Sequence, residues 1–360
     1  MTWVILAFFS HLVFIPGIYD GFSLPKRVYV IGLGCAAAVY LLRRAKPLPL
    51  FDSVYLYASI IMLGIFAPTN FYFAERIALD FSDFLIFWAV ATTPFTKREI
   101  KLLSLGACFT LVVAYAFRVF LPSNEGMLAG LGNFSYFAYL AILAAPLSII
   151  AAGSYGYVFV VGPAFTLFLS LESRASSAAI IWLLIYFGAS YGNLARAKTL
   201  AIVTLLAPAT IFVTVALFQP FQVDDVRVAI WKNSIPMSRD AGLLGFGRGQ
   251  FEFNYPKYAN AKVRDLSLPA MHHGHPHNEF VNQLIETGFL GTAAFFAIIA
   301  RIFLNMSAAT LMPLSIAASL VGVVLYSSFW FPFLHPSMSV TFWALAGVLW
   351  SVSKNDGRQF

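Results

Sequence analysis

Apolar residues dominate the chain in long blocks separated by short polar connections. A helix that crosses a bilayer needs about 20 mostly apolar residues, within a range of about 17–25. Twelve blocks approach that length, roughly 2–19, 28–43, 52–68, 78–94, 102–121, 133–152, 154–171, 176–192, 199–219, 279–302, 308–329 and 338–352. The second and last are short, and Asp80 and Asp83 interrupt the fourth, so the pattern predicts 10–12 transmembrane helices. The expected fold is an all-α, polytopic integral membrane protein. Its organisation reads as about nine helices over 1–219, a polar loop over 220–278, about three helices over 279–353 and a polar tail over 354–360. No repeat of fixed period and no low-complexity tract occurs.

Composition agrees with that pattern. The chain is 60% hydrophobic and 11% charged, with 37 phenylalanines among 360 residues. Its mean hydropathy is +0.78. Soluble domains carry about 25% charge, which excludes a soluble helical protein. The net charge of +7 is small for the size, and no nucleic-acid partner is expected. Cys35 and Cys108 lie inside apolar runs and read as buried thiols, with no disulfide framework or cysteine metal site. No basic segment precedes the first apolar run, and no small-residue cleavage site follows it. Trp3 to Tyr19 therefore reads as a retained helix.

Positive charge orients the helices. With the N-terminus in the cytoplasm, that side receives Arg43, Arg44, Lys46, Lys97, Arg98, Lys101, Arg196, Lys198, Arg301, Lys354 and Arg358. The short outer connections receive only Lys26, Arg27, Arg76, Arg118 and Arg174. The 220–278 loop then lies outside, where a long loop crosses regardless of charge. Its first part, Asp224 to Ser238, has an acidic start and places Val226, Ile230, Trp231 and Ile235 at helical spacing. Gly242, Gly245, Gly247 and Gly249 follow as an expected flexible turn.

The candidate chemistry gathers in His272 to Gly291, HHGHPHNEFVNQLIETGFLG. Asn278, Asn282 and Glu286 recur every four residues and form one polar stripe on a helix. An acid two turns inside an apolar span marks a functional-site suspect. His277 sits at the junction of loop and helix with Asn278 at the expected N-cap. Imidazole titrates near neutrality and suits general-base work on a hydroxyl. The plainer reading is a histidine that only marks the interface. His272, His273, His275 and His277 also raise a metal site. However, no HExxH, paired carboxylates or DxD pattern accompanies them, and Asp224-Asp225 is a weak substitute; no metal or other cofactor is expected. Arg174, in LESRASS, and Arg227, in RVAIW, sit where the outer boundary is predicted. A guanidinium there could hold a diphosphate, being bidentate and charged at every relevant pH. For Arg118 simple snorkelling suffices. Glu286 lies about 13 Å beyond His277 along a helix axis, too far for contact, and reads as a brace for Asn282.

The string from His275 through Gly291, of the form HxHNxFxxxLxETGxxG, resembles the signature of the O-antigen ligase and O-antigen polymerase superfamily. RVAIWKNSIPMSRDAGLLGFGRGQF looks like the family's Arg-xxx-Trp helix and glycine turn, with Ala241 and Gly242 in place of its proline region. LSLESRASS looks like its Ser-Arg stretch, and Gly130 to Ala141 is similar to another family segment. The resemblance covers about 125–350; the N-terminal third matches in hydropathy alone.

That resemblance implies transfer of a glycan from undecaprenyl diphosphate to an acceptor hydroxyl, on a lipid A-core sugar or a growing glycan. It places the reaction at the periplasmic face of the bacterial cytoplasmic (inner) membrane, without a metal and with inversion. His277, Arg174 and Arg227 match the family's essential residues. Asn278, Trp231, His275, Arg248, Asn282 and Glu286 are the candidate substrate-binding residues. The expected partners are the lipid-linked glycan donor, the acceptor and membrane lipid. Three other readings use the same features: a protein O-oligosaccharyltransferase with a pilin-like acceptor, a lipid-linked sugar flippase, and a metal-dependent membrane hydrolase. Asp80, Asp83 and His335 carry no assigned role.

Overall fold

The computed structural model describes residues 1–13, 23–44, 71–120, 134–152, 174–218, 226–259 and 275–359. These residues are mostly helical, with no strand among them. In chain order the helices are α1 (Thr2–Phe9), α2 (Ser23–Arg44), α3 (Phe71–Ala91) and α4 (Lys97–Phe120). Next come α5 (Phe134–Ala152), α6 (Arg174–Ser190), α7 (Leu194–Leu205) and α8 (Ala207–Phe218). The last four are α9 (Val226–Ala241), α10 (Glu279–Leu304), α11 (Leu311–Tyr326) and α12 (Pro336–Gln359). A single helical turn, Phe251–Asn254, lies between α9 and α10. Among the described residues, Leu24–Arg44, Leu194–Thr214 and Glu279–Leu304 are long and apolar enough to cross a membrane. The expected spans 52–68 and 154–171 lie outside the described residues, as do Asp224, Asp225, His272 and His273.

The centre is built by α3, α5, α11 and α12. Helix α12 lies along α3, where Gly347 meets the backbone carbonyl of Phe87; a Cβ there would stand 2.9 Å from that oxygen. Close backbone approach at a small residue is how helices gain contact in lipid, where apolar burial alone gives no advantage. Polar side chains inside the bundle then bond across helices. The Ser319 hydroxyl donates to Leu143 O at 2.7 Å, Tyr139 donates to Met338 O, and His11 Nε2 lies 3.3 Å from the Thr341 hydroxyl. The outer surface is apolar: Leu42 is 82% and Phe109 65% exposed. Cys35 belongs to that surface and Cys108 is half-buried, so the expectation of two buried thiols fails. An apolar run in such a helix can face lipid as readily as protein.

Two other differences from the sequence reading shape the site. The block 199–219 is two helices, α7 and α8, meeting at Leu206. Pro208 explains the break: it has no N–H to donate, and its ring clashes with the carbonyl one turn back. The glycine turn after α9 is a docked segment, described below, not a flexible hinge. Helix α9 itself starts at Val226 and runs to Ala241, close to the predicted 224–238. Helix α12 continues through the residues read as a tail.

Candidate functional site

Helix α10 opens with Asn278 as its N-cap, as its sequence position predicts. The Asn278 side-chain oxygen accepts from Val281 N at 3.2 Å. Its amide also donates to Pro208 O at 3.1 Å and to Ser328 O at 3.0 Å. The side chain is fully buried, so one residue ties the head of α10 to the α7–α8 break and to the end of α11. Glu279 N donates to Ser327 O at 2.9 Å and repeats that second tie.

His277 precedes this cap with φ of +54°, the one non-glycine positive φ among the described residues. An L-residue held there carries strain of about 1–3 kcal/mol, which surrounding structure must sustain. The sustaining contacts are aromatic. The His277 ring lies 5.5 Å from Trp330 and 5.2 Å from Phe331. His275 lies 4.4 Å from Phe331, and His335 stacks on both, 5.1 Å from Phe331 and 6.1 Å from Trp330. Three histidines therefore share one aromatic cluster. Desolvation holds the His335 imidazole well below its usual pKa of 6.5, with the neighbouring His275 and Arg76 acting in the same direction.

The Trp231 indole N–H donates to Pro276 O at 2.6 Å, which pins α9 to the histidine loop. Arg227 lies on the same helix one turn earlier and is exposed. Trp231 thus ties α9 to the histidine loop, and Arg227 lies four residues, about 6 Å along the helix axis, from that tie. Arg174 is the first residue of α6; its side chain lies outside the described residues.

Below this mouth the polar stripe of α10 meets Arg248. The buried guanidinium donates to Asp80 through Nε at 2.7 Å and Nη2 at 3.0 Å, and to Glu286 through Nη1 at 2.9 Å. Asn282 Nδ2 donates to the same Glu286 oxygen at 3.4 Å, the brace the spacing suggested. Asp80 on α3 was legible only as an acid in an apolar block, and Arg248 is its reason. Asp83, one turn further, accepts from the Ser339 hydroxyl of α12. The two acids leave α3 intact because both face protein partners.

The glycine turn completes this part. Helix α10 breaks at Gly288, whose φ is +66° and ψ −171°. Residues 242–247 fill the break: Phe246 N donates to Ile285 O at 3.0 Å, Gly247 N to Glu286 O at 2.9 Å, Phe289 N to Gly242 O at 3.2 Å and Leu290 N to Leu243 O at 3.1 Å. Irregular backbone inside an apolar helix is tolerated where neighbouring protein satisfies it. A Cβ on Gly245 would stand 2.4 Å from Glu286 O, and one on Gly288 2.4 Å from Leu243 O. These contacts make the GLLGFG turn part of the helix pair, not a linker.

Residues 140–296 match the family model described as O-antigen ligase. Over this stretch the chain is similar to the O-antigen ligase family. No curated protein and no solved structure matches the chain. The O-antigen ligase segment contains Arg174, Arg227, Trp231, Arg248, His275, His277, Asn278, Asn282 and Glu286, and supports a function of ligase or polymerase type in general. The geometry divides these positions. His275 and His277 line the aromatic mouth, and Trp231 anchors it. Arg248, Asn282 and Glu286 form the buried clamp, and Asn278 serves the helix junction. Trp330, Phe331 and His335 lie beyond the matched segment; the signal available for them was the aromatic run FWFPFLHP between two apolar blocks. Among the described residues no group of three His, Cys, Asp or Glu could hold a metal ion.

Proposed function

We propose that the protein is a glycan ligase or polymerase that moves a polysaccharide or oligosaccharide from undecaprenyl diphosphate to an acceptor hydroxyl. The acceptor is a lipid A-core sugar or a growing glycan, and the site faces the periplasm from the inner membrane. The observation that carries this reading is the junction at the head of α10. A strained His277 stands on an aromatic wall, and Trp231 docks the Arg227-bearing helix beside it.

His277 takes the proton of the acceptor hydroxyl as its oxygen bonds to the anomeric carbon. The bond from that carbon to the diphosphate breaks, and the departing negative charge is met by Arg227 and Arg174. Fixed cations aimed at developing charge stabilise the transition state without reorganisation. Attack opposite the leaving group inverts the anomeric centre. Arginine fits the diphosphate better than lysine because its fork binds two oxygens at once.

The test uses purified full-length protein in detergent with lipid-linked oligosaccharide and candidate acceptors. Acceptor-dependent release of undecaprenyl diphosphate is the expected result. Transfer to a pilin-like protein but to no glycan would replace the acceptor with a Ser or Thr hydroxyl. Movement of intact donor across a bilayer without any transfer would replace the reaction with transport.

A further inference from the structure

A second candidate site shares no lining residue with the histidine mouth. A cleft of about 590 Å³ opens between the start of α4, the ends of α5 and α12, and the start of α11. Lys97 and Lys101 stand on one side, while Ile150, Leu311, Met312 and Val352 supply an apolar wall. The volume falls within the range of about 300–1,000 Å³ typical of small-molecule sites.

The rim of the cleft is firmly built. Thr96 and Glu99 form a capping box at the start of α4: Glu99 Oε2 accepts from Thr96 N at 2.9 Å, and Glu99 N donates to the Thr96 hydroxyl at 3.2 Å. Gly192 N donates to Ala309 O at 3.2 Å, and the Ser351 hydroxyl donates to Thr93 O at 2.5 Å, fixing the other edges.

Lys97 and Lys101 are four residues apart in the first turns of α4, so they place two positive charges on one face of that helix. Positive charge at a membrane boundary would explain lysines here, but not their shared place in the lining of one cleft. Across from them, α11 begins with Thr310 making no side-chain cap. The N–H groups of Leu311 and Met312 have no intrahelical acceptor at a helix start, and Pro313 has none to offer. Cations and orphan donors thus face one end of a cleft whose other wall is apolar.

We propose that this cleft binds an anionic glycerophospholipid. The phosphate sits between Lys97, Lys101 and the first turn of α11, and one acyl chain lies along Ile150, Leu311, Met312 and Val352. The inference rests on the membrane reading of the chain and not on the transferase reading; in the orientation set by the positive residues, the cleft opens to the inner leaflet.

The experiment uses the full chain in neutral detergent, with thermal unfolding and native mass spectrometry as readouts. The probes are dioleoyl phosphatidylglycerol, dioleoyl phosphatidylcholine and glycerol 3-phosphate. Phosphatidylglycerol is expected to raise the unfolding midpoint and remain bound one to one, while the other two do neither. The exposed pair Lys97→Glu/Lys101→Glu should weaken that binding at least about tenfold, at about 1 kcal/mol per lysine. Ala308→Trp, which fills the cleft and keeps both lysines, should lose it too and serves if the first variant misfolds. Equal binding of phosphatidylcholine, an equal shift with glycerol 3-phosphate, or undiminished binding in either folded variant would overturn the proposal. Donor turnover in the same preparations is read separately, so failure here leaves the transferase reading standing.

Discussion

The guanidinium of Arg248 and the carboxylate of Asp80 meet in a side-on pair, with Nε to Oδ2 at 2.7 Å and Nη2 to Oδ1 at 3.0 Å. The two residues are 168 positions apart, and their union joins the loop after α9 to α3. A third bond to Glu286 extends the tie to α10. Removing one member of a buried pair leaves uncompensated charge and costs about 3–5 kcal/mol. Arg248→Ala is therefore expected to lower the unfolding midpoint sharply. Arg248→Lys should rescue little, because one ammonium cannot reproduce the fork. Thermal unfolding in detergent checks both, and a wild-type midpoint for Arg248→Ala would remove the clamp from the fold's supports.

The docked glycine turn yields a graded comparison. Gly242, Gly245 and Gly288 all have positive φ, yet a Cβ on Gly242 meets nothing within 4 Å, whereas Gly245 and Gly288 face backbone at 2.4 Å. Gly242→Ala should cost about 1 kcal/mol for its backbone conformation alone. Gly245→Ala and Gly288→Ala should cost clearly more and reduce activity with it. Equal midpoints for all three alanine variants would mean the turn is not held against the α10 break.

Asn278 offers a change of sign within one position. Asn278→Ala loses the cap, about 1 kcal/mol, and leaves the carbonyls of Pro208 and Ser328 short of donors. Asn278→Asp keeps the acceptor for Val281 N but turns a carboxylate toward those two carbonyls. Asp is therefore expected to be worse than Ala, the reverse of ordinary N-cap preference. A more stable Asp variant would contradict the observed hydrogen bonds.

His335 predicts the pH response of the mouth. Its folded pKa lies below its usual 6.5, so the folded protein refuses a proton that the unfolded chain accepts. Its contribution to stability is present above about pH 6.5 and is lost as pH falls below that value, at up to about 1.4 kcal/mol per unit. Midpoints measured between pH 5 and 8 should fall on the acid side for wild type, and less steeply for His335→Phe. Identical slopes would assign the acid sensitivity to other groups.

How much of this could be read in advance differs by feature. The helices follow the apolar blocks because lipid and protein interior both demand them, and the N-cap at Asn278 and the brace at Glu286 follow from spacing alone. The break at Leu206 was hidden because Pro208 sits inside an otherwise continuous apolar run. The glycine turn was misread because glycine signals either freedom or close contact, and only the facing backbone decides. Asp80 and Arg248 could not be paired in advance, since nothing local connects residues that far apart. The aromatic wall under His277 comes from the α11–α12 connection, which is adjacent only after folding.

The central claim is that His277 handles the proton in glycan transfer. Asparagine tolerates the left-handed backbone that His277 adopts, so His277→Asn removes the imidazole while sparing the turn. The decisive measurement is acceptor-dependent release of undecaprenyl diphosphate by wild type and His277→Asn at matched unfolding midpoints. The expected result is transfer by wild type and a loss of at least about a hundredfold in the variant, the usual scale of a general base. Transfer by His277→Asn at the wild-type rate would contradict it.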